Sequence, residues 1–123
     1  MSNDEYKNIL IAGASGSLGQ IIAKEFLHES SFQTVQILVR KDSPSDKEAI
    51  FKELDEKGAT LCYVDYNDQE SLLDVLKDVD VVISTLSGEA ILGEQVKLLE
   101  AIEKTGTIKL FIPSEFVIDL DKV

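Results

Sequence analysis

The amino-acid sequence predicts an α/β domain built on a doubly wound parallel sheet of about five strands. Five short apolar runs, rich in β-branched residues, alternate with longer amphipathic segments along the chain. A glycine-rich loop follows the first apolar run and opens the first amphipathic segment. Strands that alternate with helices in this way form parallel sheets with right-handed crossovers and helices on both faces. Because a flavodoxin-like strand order would give nearly the same alternation, the first loop has to distinguish the two arrangements.

Each element is predicted from a local pattern of side chains. The apolar runs mostly do not alternate with polar residues, which is typical of strands that are covered on both faces. The predicted strands are 8–12, 35–39, 59–64, 79–84 and 108–112. Apolar residues at helical spacing predict the helices. These helices are 17–28, 45–57, 67–76 and 90–104.

Polar residues mark the starts of two predicted helices. Ser45 with Glu48, and Asn67 with Glu70, have the spacing of a capping box, in which side chains satisfy the first backbone N–H groups. Gln95 interrupts the apolar stripe of the last helix. A partly exposed glutamine is the simpler interpretation there, and a buried hydrogen-bonding role is the alternative.

Composition and charge exclude several classes of function. The formal net charge of −11 disfavours binding to nucleic acid or to an anionic membrane, because both need a surplus of Lys and Arg. The one cysteine, Cys62, cannot form an internal disulfide, and the polar N-terminus has no secretion signal. We therefore expect a cytoplasmic protein in which 1–123 forms one domain, held together without a metal ion.

The loop after the first strand has the pattern of a dinucleotide-binding turn. Gly13 permits a tight turn, Gly16 removes the side chain that would keep the backbone from a pyrophosphate, and Gly19 lets the helix pack closely. The helix start offers unpaired N–H groups to phosphates, and serine hydroxyls add donors. A glycine-rich turn without a ligand is the alternative. The predicted cofactor-binding residues of the loop are Gly13, Ala14, Ser15, Gly16, Ser17, Leu18 and Gly19.

The end of the second strand indicates which dinucleotide is bound. NAD sites usually have an acidic residue there that accepts hydrogen bonds from the ribose, but this sequence has Arg40. Its guanidinium suits a 2′-phosphate because it can bond two oxygens, and Lys41 or Lys47 would supply a second positive charge. We therefore expect NADP(H) in preference to NAD(H). Asp42, two residues after Arg40, leaves NAD(H) as an alternative cofactor. The other alternative is that Arg40 and Lys41 are a solvated basic pair on a surface loop and bind no ligand.

With these motifs placed, the chain resembles the NmrA-like and isoflavone-reductase-like proteins, an atypical branch of the short-chain dehydrogenases/reductases. The resemblance covers almost the whole chain and rests on the glycine loop, 38–40, 64–68 with 71–72, and 79–84. Its most specific element is 111–116, which is similar to the family signature F-x-P-S-E-F-G, although Val117 replaces the glycine. By resemblance, further cofactor contacts come from Asp65, Ser84, Thr85, Leu86, Ser114, Glu115 and Phe116. Turn formation and helix capping are the alternative for Asp65.

The resemblance implies hydride transfer from NADPH to a small organic substrate. The family's catalytic lysine lies further along than this chain extends, and no Tyr-x-x-x-Lys pair occurs, so we name no catalytic residue. We expect substrate binding only in a longer form of the protein. A regulator that reports the redox state of the dinucleotide to a protein partner is one alternative. A truncated, inactive product whose exposed last strand pairs with another chain, or with its own copy, is another.

Overall fold

A computed structural model describes residues 6–29 and 32–113 of the chain. The strands among them are β1 (Asn8–Ala12), β2 (Thr34–Arg40), β3 (Thr60–Val64), β4 (Val81–Ser84) and β5 (Leu110–Ile112). The helices are α1 (Ser17–His28), α2 (Glu48–Glu56), α3 (Gln69–Leu76), α4 (Glu89–Leu92) and α5 (Glu94–Thr105), with a 3₁₀ turn at Ser45–Lys47. None of these helices has the length and apolar character needed to cross a membrane.

The strands form one parallel sheet in the order β3-β2-β1-β4-β5. From β1 the chain moves outward through β2 and β3, and it then returns to the other side of β1 for β4 and β5. The direction of winding therefore reverses between β1 and β4. Open α/β sheets bind ligands in the crevice at the carboxyl ends of such a strand pair. The order confirms the predicted doubly wound sheet and excludes the flavodoxin-like alternative.

Two apolar clusters cover the two faces of the sheet. Successive residues of a strand point to opposite faces, and β1 therefore contributes to both clusters. Ile9 and Ile11 pack with residues of α1 and α2, whereas Leu10 and Ala12 pack with residues of α3 and α5. Complete burial of a side chain such as Ile11 contributes about 1.5–3 kcal/mol to folding. The central strand β1 is thus packed on both faces up to Ala12, its last residue.

The predicted starts of two helices differ from the structure. The second predicted helix begins as a 3₁₀ turn, and Ser45 makes no capping hydrogen bond there because Pro44 occupies the preceding cap position. In α3 the capping residue is Asp68 and not Asn67, since the Asp68 carboxylate accepts a hydrogen bond from the Glu70 N–H at 3.1 Å. The capping-box prediction is therefore wrong at both sites.

The last predicted helix, 90–104, is interrupted. Gly93 has φ −100° and ψ −84°, well away from helical values, so α4 ends before it and α5 begins after it. The Gly93 N–H still donates to the Glu89 carbonyl at 3.1 Å, and the Gly93 carbonyl accepts from the Lys97 N–H at 3.2 Å. The break makes Glu94 the first residue of a new helix at the carboxyl edge of the sheet.

Candidate nucleotide-binding site

The loop between β1 and α1 contains two positions that require glycine. Gly13 has φ +85°, and a Cβ there would lie 2.8 Å from backbone atoms of Thr85 and Leu86. A Cβ at Gly19 would lie only 2.1 Å from the Gly13 carbonyl oxygen. The positive φ of Gly13 agrees with the tight turn predicted there, and the close approach at Gly19 agrees with the close packing predicted for that position.

Gly16 is different because the space around it is open. A Cβ at Gly16 would meet only the Gly13 carbonyl oxygen, at 3.6 Å, and Ser17 and Leu18 beside it are also exposed. The Gln20 N–H donates to the Gly16 carbonyl at 2.9 Å and closes the first turn of α1. The N–H groups ahead of Gln20 have no partner within the helix, because a helix leaves its first donors unpaired. Such a helix start favours anionic groups.

The residues after β4 are held by hydrogen bonds to neighbouring elements. Both the N–H and the hydroxyl of Thr85 donate to the Ala12 carbonyl, at 2.8 Å and 2.7 Å. Buried Ser84 donates its hydroxyl to Gln95 Oε1 at 2.5 Å. Gln95 is 7% exposed, so the interpretation of a partly exposed glutamine is wrong. Ser84 supplies a partner inside the interface between sheet and helix, where buried polar groups need one.

A cavity of about 270 Å³ opens between the glycine loop and the end of β2. Apolar side chains from several elements form part of its wall, among them Leu38 and Phe51. Its cationic side chains are those of Arg40 and Lys47. Of the residues predicted to contact the cofactor, this cavity is lined by Gly13, Ala14, Ser15, Arg40, Lys47 and Leu86.

A neighbouring cavity of about 300 Å³ lies at the ends of β2 and β3. Lys41 and Asp65, two other predicted contacts, line this second cavity and not the first. The Asp65 carboxylate accepts a hydrogen bond from the Asn67 N–H at 2.9 Å. Its backbone N–H donates to the Ser71 hydroxyl at 3.2 Å. Asp65 therefore stabilises the turn before α3, the role that was its predicted alternative.

Arg40 takes part in two ion pairs. Its Nε lies 3.2 Å from Asp42 Oδ1, and its Nη1 lies 3.4 Å from Glu94 Oε2. The guanidinium is half exposed, as are many surface pairs that contribute only about 0–1 kcal/mol. A phosphate that accepts two charge-assisted hydrogen bonds is a stronger partner than either carboxylate. The two ion pairs therefore hold the Arg40 side chain only weakly.

Tyr66 lies between the two cavities and was not predicted as a site residue. It lines both of them, and its side chain is buried. Burial raises the pKa of the Tyr66 hydroxyl, the carboxylate of Glu94 raises it further, and the charge of Arg40 offsets part of the rise. The phenol therefore stays protonated and can donate a hydrogen bond. The sequence does contain a signal for this site residue, because Tyr66 is an aromatic residue just after the carboxyl end of β3.

Three predicted contacts, Ser114, Glu115 and Phe116, lie outside the described residues. They follow β5, which pairs with β4 in the sheet. Parallel strands place their carboxyl ends at one edge, and β5 therefore ends at the edge that carries the glycine loop. The contribution of these three residues stays a prediction.

The strand order, the crevice and the glycine loop define a domain of the Rossmann dinucleotide-binding class. The chain belongs to the NmrA-like family, whose model matches residues 5–123. The family and the sheet were both predicted from the sequence.

Similar proteins include plant enzymes. Eugenol synthase 1 of Petunia hybrida is 41% identical over 121 residues, which are 97% of this chain and 38% of that protein. Phenylcoumaran benzylic ether reductase TP7 of Nicotiana tabacum is 42% identical over 120 residues, 96% of this chain and 38% of that protein. The binary complex of leucoanthocyanidin reductase with NADPH, from Vitis vinifera, superposes with a TM-score of 0.76 and 42% identity, covering 87% of this chain and 35% of that one. The chain thus spans about 38% of the length of these curated relatives.

Proposed function

We propose that this chain is the NADP(H)-binding part of a reductase that transfers hydride from NADPH to a small organic substrate. The observation that carries the proposal is one cavity shared by the glycine loop, Arg40 and Lys47. Two similar proteins give further support: one is a reductase by name, and the other is a reductase in complex with NADPH. The bound dinucleotide would supply the hydride, and the residues of this chain would bind and orient it.

The glycine loop would hold the pyrophosphate. Gly16 leaves the backbone open to a close approach, and the unpaired N–H groups at the start of α1 would donate to phosphate oxygens. Ser15 lines the cavity, and Ser17 is exposed at the first position of the helix. Both hydroxyls would add donors. Thr85 would act indirectly, because its hydroxyl is bonded to the Ala12 carbonyl and supports the loop.

The preference for NADP(H) would come from Arg40 and Lys47. Both side chains line the cavity of the glycine loop, whereas Lys41 lines the neighbouring one. Lys47 is thus favoured over Lys41 as the second cation. A 2′-phosphate would bond to the guanidinium fork and be attracted by the lysine charge. NAD(H) lacks this phosphate and would gain neither interaction.

Titration of the purified chain with NADPH and with NADH tests the proposal. We expect tighter binding of NADPH. The Arg40→Ala variant should lose about 1.5–3 kcal/mol of that binding, roughly 10- to 150-fold, because hydrogen bonds to a charged group are lost. Lys77→Ala is the matched control. Lys77 is an exposed lysine at the C-terminal end of α3, and it lines neither cavity. Equal affinity of the wild-type chain for both nucleotides would refute the assignment of Arg40.

Association through the last strand and a cytoplasmic location stay predictions. In the described part of the chain β5 is an edge strand, with Leu110 43% and Ile112 42% exposed. An exposed apolar edge is a template for pairing with another strand. Light scattering over a range of protein concentrations tests this: an Ile112→Lys variant should stay monomeric where the wild type associates. A wild-type chain that remains monomeric throughout would contradict the prediction.

A further inference from the structure

The ion pair between Arg40 and Glu94 spans the crevice of the sheet. Arg40 is the last residue of β2, and Glu94 is the first residue of α5, which follows β4. Because β1 lies between β2 and β4, the 3.4 Å contact from Arg40 Nη1 to Glu94 Oε2 crosses the carboxyl end of β1. Glu94 lines both cavities of the site. A negative charge therefore lies in the region where a nucleotide phosphate would bind.

The position of Glu94 is fixed by its neighbours in the chain. Gly93 breaks the helix and starts α5 at Glu94. The next residue, Gln95, is buried and accepts the hydrogen bond from Ser84 at the end of β4. This bond ties the first turn of α5 to the sheet. The Glu94 side chain is 27% exposed, whereas that of Asp42, the other partner of Arg40, is 82% exposed and can turn away into solvent.

We propose that Glu94 is the resident counter-ion of Arg40 that the 2′-phosphate of NADP(H) displaces, and that this carboxylate thereby limits the preference of the site for the phosphorylated nucleotide. The inference rests on the proposed function. A bound phosphate monoester carries about −1.5 to −2 charges and competes with the carboxylate for the same donor, Arg40 Nη1. Because α5 holds Glu94 beside Arg40, binding of the phosphate has to break this ion pair. The cost of breaking it reduces the free energy that Arg40 contributes to phosphate binding.

Neutralising Glu94 should free Arg40 for the phosphate. We expect Glu94→Gln to raise the affinity for NADPH about two- to five-fold, the range measured for partly exposed ion pairs. The affinity for NADH should change less, because this nucleotide has no 2′-phosphate. Isothermal titration calorimetry of the full chain with each nucleotide gives both values. Glu103→Gln is the matched control: it removes the same charge from an exposed position of α5 outside both cavities, and it should leave both affinities unchanged.

The same substitution in the Arg40→Ala background separates displacement from general repulsion. If Glu94 acts by occupying Arg40, Glu94→Gln should give no gain in NADPH affinity once Arg40 is absent. A gain of equal size in that background, or an equal gain for NADH, would overturn the inference. A loss of NADPH affinity in the single variant would overturn it too, since Glu94 would then be holding Arg40 ready for the phosphate.

The outcomes also distinguish this inference from the proposed function. A wild-type chain that binds neither nucleotide refutes the proposed function. A wild-type chain that prefers NADPH, combined with a Glu94→Gln variant of unchanged affinity, refutes only the role of Glu94. Circular dichroism and a thermal unfolding curve for each variant show that it is folded when its affinity is measured.

Discussion

Replacement of Gly19 by alanine should damage the fold at the nucleotide-binding loop. The new Cβ would lie 2.1 Å from the Gly13 carbonyl oxygen, 2.6 Å from the Thr85 hydroxyl oxygen and 2.8 Å from Ala14 Cα. Two of these atoms belong to the backbone and cannot turn away, so α1 has to move off the loop. Inserting a methyl group into a closely packed site costs about 1–3 kcal/mol. We expect a cost at the upper end of that range.

Gly16→Ala is the matched control for the same chemical change. Its Cβ would meet the Gly13 carbonyl oxygen at an ordinary contact distance, 3.6 Å, and Gly16 has φ −78°, which alanine adopts without strain. We expect the free energy of unfolding to fall by only about 1 kcal/mol or less, because glycine is a moderately better helix cap than alanine. The methyl group would instead stand where a pyrophosphate approaches the backbone, so NADPH affinity should fall at least about tenfold.

Urea unfolding and NADPH titration of the two variants measure the two effects separately. We expect Gly19→Ala to be less stable than the wild type, and Gly16→Ala to be about as stable as the wild type but to bind NADPH poorly. Equal stability of the Gly19→Ala variant and the wild type would refute the packing argument. Wild-type NADPH affinity of Gly16→Ala would refute the role of the open loop.

Two further predictions concern polar side chains that are buried or partly buried. Burial raises the pKa of Asp80, but hydrogen bonds from the N–H groups of Asn8 and Lys7 together with the charge of Lys109 lower it more, and the net pKa is below its usual value. Because its pKa is lowered in the folded protein, the ionised Asp80 carboxylate stabilises the fold. This stabilisation is present above about pH 4 and is lost as pH falls further. Asp80→Asn should flatten that loss in urea unfolding, and an unchanged pH dependence would contradict it. Gln95→Leu should cost about 0.5–1.5 kcal/mol because the buried hydrogen bond from the Ser84 hydroxyl to Gln95 Oε1 is lost, and Ser84→Ala should then cost less in the Gln95→Leu background than in the wild type; additive losses would oppose this.

The strands and the glycine loop could be predicted because their signals are local. Ile9, Leu10 and Ile11 form a continuous apolar run, as a strand covered on both faces requires. Gly13 directly follows that run and adopts a positive φ, and the shortest contact that requires glycine at 19 is with the carbonyl oxygen of nearby Gly13. Patterns of this kind are fully contained in the sequence.

Other features depend on tertiary contacts or on small energy differences. A glycine inside a helix costs only about 1 kcal/mol, so the pattern around Gly93 could not show whether the helix continues or breaks. Asn67 and Asp68 are both good caps, and spacing does not choose between neighbours. Arg40 and Glu94 are 54 positions apart, so their contact follows only from the strand order. The burial of Gln95 was missed because it depends on how α5 packs against Ser84 at the end of β4, which is also a tertiary contact.

We have proposed that the glycine loop and the end of β2 form one site for NADP(H). Amide NMR spectra of the isotopically labelled chain, recorded during a titration with NADPH, test it most directly. We expect the amide signals of 13–19 and of Arg40 to shift together with a single dissociation constant, while the signal of Lys77, which follows the C-terminal end of α3, stays in place. Shifts confined to other surfaces, or separate dissociation constants for the loop and for Arg40, would contradict it.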